Sequence, residues 1–342
     1  MIRMSCVGEN VLYWHPTGAE RQKDSQKINR QSKDKKTAVI KREKNRKVGH
    51  MTAYRQRYGA RNSAWRVIYP FLIYILLQGL AALAVATLLS ALVLPQYFSQ
   101  LEAGEIYGYM NAVLDLYMDH VLDITALSAA ISIPLSLFMM HVDREERDNA
   151  GITTRWKQSW LPFLLMIVLG IAACYLGNVL VSISGVSEIG DENTIDLLAG
   201  NVYKEILFAG IIVPIAEELT FRALFYRRLH DYMGMIPAMF ISAAVFGALH
   251  GTLANFLYAF ALGLLLAWAY ERFKNIWASI IIHMAANIMS VALTSSEGLV
   301  YYLTGDGLKL LISCMVSALL VIACVVIVET KVRPVPLNGR QE

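Results

Sequence analysis

The stretch IIVPIAEELTFRALFYRR, residues 211–228, decides how this chain is read. It is apolar over most of its length, yet Glu217, Glu218 and Arg222 stand at its centre. An ionised side chain deep in a bilayer costs about 2.5–3.5 kcal/mol even on the scale derived from insertion. Charged residues inside an apolar span are therefore rare, and they mark functional sites. The plainer alternative is a structural ion pair. Glu218 and Arg222 are four apart, share one helical face and can pair. That accounts for two of the three charges. Glu217 is rotated by about 100° from its neighbour at 3.6 residues per turn. It needs another donor, and a histidine is the natural candidate.

Working outward, two later apolar segments each supply a histidine. His250 ends FGALH, four residues after Phe246 and on its face. His283 opens HMAAN and shares a helical face with Asn287. One such polar pair could be interhelical glue, worth about 0.6 kcal/mol per hydrogen bond. Three same-face polar sets on consecutive apolar segments are harder to explain as glue. Pro214 precedes Glu217 by three residues and removes a backbone hydrogen bond, so a kink is expected there. Helical rise sets the depths. Glu217 stands about 15 Å above Arg227, His283 about 12 Å above Asn275, and His250 about 24 Å above Gly234. For the three to meet, the segment ending at His250 must tilt or start deeper. Chemically, a carboxylate and an imidazole can hold a water and accept its proton. A second imidazole and an amide offer N–H donors to an oxyanion. The set suits amide hydrolysis.

The whole chain agrees with a membrane setting. Of its 342 residues 56% are hydrophobic and only 17% charged, and the mean hydropathy is +0.44. A soluble domain carries about 25% charged residues. Residues 1–65 hold 16 of the 31 Lys and Arg and only five acids, which leaves the remainder charge-poor. Cys6, Cys174, Cys314 and Cys324 form no CxxC, so neither a zinc ribbon nor a disulfide framework is indicated. The first long apolar run begins near Trp65, too late and too long for a cleavable signal peptide.

Eight segments are long enough, or nearly so, to cross a bilayer: 66–94, 121–141, 160–183, 205–226, 236–250, 253–270, 277–294 and 308–329. The connections 142–159, 227–235 and 271–276 and the tail from 330 are basic; 95–120, 184–204, 251–252 and 295–307 carry almost no Lys or Arg. Basic and non-basic loops alternate. By the excess of positive charge on the cytoplasmic side, the expectation is an all-α polytopic bundle of about eight transmembrane helices with both termini cytoplasmic. Residues 1–60 read as a basic, disordered tail, 61–330 as the transmembrane domain and 331–342 as a short cytoplasmic tail. Met51 heads a second conventional lead-in, MTAYRQRYGARNSAWR, which would make residues 1–50 an over-extended start. A basic tail beside a membrane can bind anionic headgroups. No aromatic platform or folded basic motif accompanies the charge, so no nucleic-acid partner is expected.

At its motifs the chain resembles the CAAX-protease and bacteriocin-processing family, also called the ABI family. That family's signature is EExxxR, FxxxH and HxxxN, in order, on apolar segments. Here they stand as Glu217-Glu218-Leu-Thr-Phe-Arg222, Phe246-Gly-Ala-Leu-His250 and His283-Met-Ala-Ala-Asn287, within about 203–294. Each motif alone is weak and the ordered trio is specific. The resemblance implies an eight-helix intramembrane endopeptidase of a bacterial cytoplasmic membrane, acting on a membrane-associated peptide or protein. It implies that Glu217 activates water together with His250, that His283 and Asn287 form the oxyanion hole, and that Glu218, Arg222 and Phe246 support them. Members are labelled metalloproteases, and a metal-free, glutamate-activated water is also argued for them. Glu217, His250 and His283 are the candidate ligands of a divalent ion such as zinc, although HExxH is absent. A non-catalytic immunity or scaffold protein of the same fold is the alternative. A proton-relaying transporter would need matched broken halves, and no internal repeat is visible. GxSG and GxGD, the marks of other intramembrane proteases, are missing.

Overall fold

A computed structural model describes residues 64–149, 156–157, 159–183, 201–332 and 335–336. Chain contacts separate two units, Met1–Gly59 and Ala60–Glu342, and every described residue belongs to the second. The basic segment 1–60, with Met51, and the final residues 337–342 lie outside the described residues. In chain order the helices are α1 (Ala64–Glu102), α2 (Ile106–Asn149), α3 (Leu161–Ile183), α4 (202–233), α5 (Met235–Ala248), α6 (Leu253–Phe273), α7 (Ile276–Thr294), α8 (Glu297–Thr304) and α9 (Gly307–Lys331). Trp156–Lys157 and Val335–Pro336 add a two-residue antiparallel pairing, β1 with β2.

Six of these helices, α1, α2, α3, α6, α7 and α9, are long and apolar enough to cross a membrane, and α5 is a shorter apolar helix. α4 is helical without a break but changes register along its length, and it carries the buried charges. With α4 and α5 included, the all-α bundle of about eight spans is present.

Several expected loops are helical in whole or in part among the described residues. Residues 95–120 contain only a short turn between Glu102 and Ile106. α1 and α2, at 39 and 44 residues, extend for roughly 60 Å each, about twice the thickness of the hydrocarbon. Tyr109 donates to the Ser90 carbonyl at 3.1 Å and its ring lies 6.4 Å from that of Tyr97, which ties the two extensions into a hairpin. α2 also runs on through 142–149, and α4 runs through Arg227-Arg228 to Met233. Charge marks where lipid ends, whereas a helix stops only where a residue breaks it. At 234 a glycine at φ 89° does so, a backbone that side-chain-bearing residues rarely adopt.

The ends that carry the basic connections share one face. Arg228 of α4 is buried and bonds Asp143 of α2 twice, at 2.7 and 3.1 Å. It also reaches the Arg66 carbonyl at 2.5 Å and the Tyr69 hydroxyl at 3.1 Å on α1. Arg66 bonds Asp143 at 2.7 Å and pairs with Glu146, and Arg147 pairs with Asp231. Tyr226 of α4 bonds Glu271 near the end of α6, and Arg272 pairs with Glu329 near the end of α9. In the β1–β2 pairing Trp156 stands opposite Pro336 and Lys157 opposite Val335.

Two apolar cores lie beneath it. Met166, Leu169, Leu266, Phe273 and Ile282 centre one among α3, α6, α7 and α9. Tyr74, Phe221, Phe225, Phe246 and Ala267 centre the other among α1, α4, α5 and α6. The candidate residues sit along α4 where these meet.

Candidate active site

α4 is built in five pieces. It is α-helical over Val202–Leu207, π-helical over Phe208–Ile212, α over Val213–Glu218, π over Leu219–Tyr226 and α over Arg227–Met233. A π turn inserts one residue and rotates all that follows, and such turns gather at functional sites. Glu217 and Glu218 stand in the short α piece between the two π segments. Every residue of the second π segment is buried, Arg222 among them.

The ion pair expected from the i, i+4 spacing is present. Arg222 Nη1 donates to Glu218 Oε1 at 2.7 Å, and both side chains are 0% exposed. The guanidinium carbon lies 4.3 Å from the centre of the Phe246 ring, so α5 supplies a cation–π face for the buried charge. α7 supplies the histidine that Glu217 lacked. His283 Nδ1 lies 2.9 Å from Glu218 Oε1, and its Nε2 lies 3.6 Å from Glu217 Oε2. A carboxylate oxygen accepts, so Nδ1 carries the proton and Nε2 faces Glu217. One imidazole thus joins the two adjacent glutamates.

His250 enters from the turn after α5. Its Nδ1 is 2.8 Å from the Phe246 carbonyl. A carbonyl can only accept, so the proton of neutral His250 sits on Nδ1 and its Nε2 lone pair is free. Its ring packs edge-on against Phe246 at 4.8 Å, and the same Phe246 ring meets His283 at 5.7 Å. The two imidazoles therefore flank one shared phenylalanine. Counted to the end of α4 at Met233, Glu217 stands about 24 Å up, level with the figure for His250, whereas His283 stands only about 12 Å above Asn275. His283 nevertheless lies 3.6 Å from Glu217, so the helix ends do not share one level.

Asn287, one turn beyond His283, has a different partner. Its Nδ2 donates to the carbonyl of Ala209 at 2.8 Å, in the first π segment of α4. Residues of α7 that share a face thus bind α4 at two separate levels.

Exposure separates the two glutamates. The Glu217 side chain is 16% exposed, whereas those of Glu218 and His283 are 0% and 3% exposed. Glu218 Oε2 and the Nε and Nη2 atoms of Arg222 are buried without a protein partner, which leaves hydrogen-bonding capacity inside the cluster. Tyr74 of α1 is a further member that the sequence did not reveal. Its hydroxyl is buried beside Gln78 and lies within electrostatic reach of Glu217. A tyrosine in an apolar span carries no signal of its own.

The donors do not gather as a metal site. Among the described residues no three His, Cys, Asp or Glu side chains are grouped to hold an ion. His283 Nδ1 is held by Glu218 and His250 Nδ1 by a carbonyl, so Nε2 of each imidazole is the atom that could face an ion beside Glu217. Among the described residues Cys174 and Cys324 are buried free thiols in the apolar core, and Cys314 is half-buried and free.

Comparison with known proteins bears on the same segment. Residues 200–289, from α4 through most of α7, match the family described as type II CAAX prenyl endopeptidase Rce1-like. A protein of Bacillus subtilis (strain 168) bearing the name "Putative membrane peptidase YdiL" is 29% identical over 149 residues. That alignment covers 43% of this chain and 58% of the relative, so the chain spans somewhat over half the length of that relative. No solved structure matches.

Proposed function

On the premise that the chain belongs to the CAAX-protease and bacteriocin-processing family, as its segment 200–289 supports, we propose that it is an intramembrane endopeptidase. The observation that carries this reading is the asymmetry of the glutamate pair. Glu218 is sealed between Arg222 and His283, while its neighbour Glu217 keeps an exposed edge beside the same imidazole. A structural ion pair has no use for the second acid.

In the proposed reaction Glu217, helped by the free Nε2 of His250, holds a water and takes its proton. The hydroxide adds to the carbonyl carbon of a peptide bond, and the carbonyl oxygen becomes the oxyanion. His283 donates to that oxygen through Nε2, its Nδ1 being held by Glu218. That donation needs a proton on both nitrogens of His283, with Glu217 and Glu218 on either side of the ring. Collapse of the intermediate breaks the C–N bond, and Glu217 returns the proton to the leaving amine. The resemblance would add Asn287 as a second donor: one Nδ2 hydrogen is bonded to Ala209, and the other remains to donate. The substrate is a membrane-associated peptide or protein. The face bearing the basic connections lies on the cytoplasmic side by the positive-inside rule, in a bacterial cytoplasmic membrane.

The test is Glu217→Gln in the full chain, compared with wild type by mapping new peptide termini in membranes. Loss of a set of cleavages, with a fall of about 10²–10⁴ in turnover and an unaltered melting midpoint, is expected. Unchanged termini with Glu217→Gln would sink the reading and leave the non-catalytic immunity or scaffold alternative.

A further inference from the structure

We infer that Asn287 stands in for a backbone donor that Pro214 lacks, and that through this bond α7 fixes the helical phase in which Glu217 and Glu218 meet His283. The proline, the π segment and the asparagine make one device. In an α-helix the Ala209 carbonyl would accept from the N–H of Val213. Here the Val213 N–H goes to the Phe208 carbonyl, five residues back. The next donor in that π register would be residue 214, which is a proline and has no N–H. Ala209 is thus bypassed by both registers. Asn287 Nδ2 sits on that oxygen at 2.8 Å.

A second observation shows that α7 is shaped to this bulge. A Cβ added at Gly210 would lie 2.9 Å from Ile288 Cγ1, closer than packed carbons approach. The absence of a side chain at 210 lets α7 come close enough for Asn287 to reach the neighbouring carbonyl. The consequence falls on the glutamates. They follow Pro214 by three and four residues, less than two turns from the bulge. If Ala209 recovers its acceptor duty by sliding back to α register, the chain after it turns by about 100° and the glutamates leave His283. Asn287 is on this account a positioning residue. Through this bond it acts on catalysis by way of the phase of α4, and that part alone rests on the peptidase reading.

The test is a rescue. Asn287→Ala, Pro214→Ala and the double variant of the full chain are purified in detergent. Amide hydrogen exchange over 207–218 and the melting midpoint are recorded, with cleavage of fluorescent casein as the activity probe. Asn287→Ala should exchange at least about fivefold faster, as expected for a buried acceptor left unsatisfied, and melt lower. Adding Pro214→Ala restores an N–H that can reach Ala209, so the double variant should return to the Pro214→Ala values in exchange and melting midpoint. A single variant that cannot be purified folded, beside a double variant that can, is the same rescue in stronger form. Asn287→Leu keeps much of the shape without any donor and should behave as Asn287→Ala. A double variant as open as Asn287→Ala, or an Asn287→Leu that exchanges like wild type, overturns the proposal. If wild type itself leaves casein and all membrane proteins uncut, the peptidase reading fails and the exchange rescue still decides this one.

Discussion

Replacing Arg222 by methionine removes the positive charge at the centre of the cluster while keeping much of its apolar length. The change leaves the Glu218 carboxylate, 0% exposed, with His283 as its remaining partner and Phe246 without its cation. Breaking a buried pair by deleting one member costs about 3–5 kcal/mol. At about 2–4 °C per kcal/mol for a chain of this size, the melting midpoint should fall by about 6–20 °C. The protein carries its own reporter. Cys174 and Cys324 are 0% and 3% exposed and free, so a thiol-reactive dye added in detergent will register unfolding. Glu218→Gln in the same chain neutralises the orphaned acid and keeps an acceptor for His283 Nδ1. The double variant should recover at least about half of the lost stability, without a matching recovery of cleavage. An Arg222→Met protein that melts like wild type but cleaves nothing would refute the structural assignment. Arg222 would then belong with the groups that touch substrate.

Two further outcomes follow from the geometry. Because no three such side chains among the described residues are grouped to hold an ion, dialysis against 1,10-phenanthroline should leave cleavage of fluorescent casein essentially intact; inhibition reversed by added zinc would mean that Glu217, His250 and His283 close around an ion. Asp143→Asn should weaken the Arg228 latch between α1, α2 and α4 and lower the midpoint by an amount comparable to Arg222→Met, since Arg228 is equally buried. Apolar replacement of both Asp143 and Arg228 should restore part of it, and a double variant no better than the single would show that the latch is not a closed pair.

The number and order of the spans were legible because hydropathy reports burial in lipid. Their ends were not, because hydropathy does not report helix termination. Arg227 and Arg228 look like the edge of a membrane segment, yet Arg228 is buried against Asp143, 85 residues away, and the helix passes through both. Only the tertiary partner distinguishes a buried arginine from a boundary one. Counting from Arg227 instead of Met233 also placed Glu217 six residues, about 9 Å of rise, too near its helix end, and helix ends that lie at different levels give no common reference for depth.

At the site, residue chemistry was legible and register was not. Glu218 with Arg222 follows from i, i+4 spacing, and the need of Glu217 for an imidazole follows from the cost of a lone acid in lipid. Which imidazole answers it depends on rotation about the helix axis, and a single π turn changes that rotation by a full residue. No hydropathy pattern records such a turn, since both registers bury the same side chains in an all-apolar helix. The nearest sequence signals were Pro214 and Gly210, a missing donor and a missing side chain within one turn. Read alone, the proline says only that a bond is lost. Read with Asn287 on the Ala209 carbonyl, it says where the replacement comes from, and that the replacement lies on the helix that also carries His283. Glutamates and histidine are thus held in one phase by the same pair of helices. The buried charges can be arranged to balance only while that phase is kept, which makes the register of α4 as much a part of the site as the residues it presents.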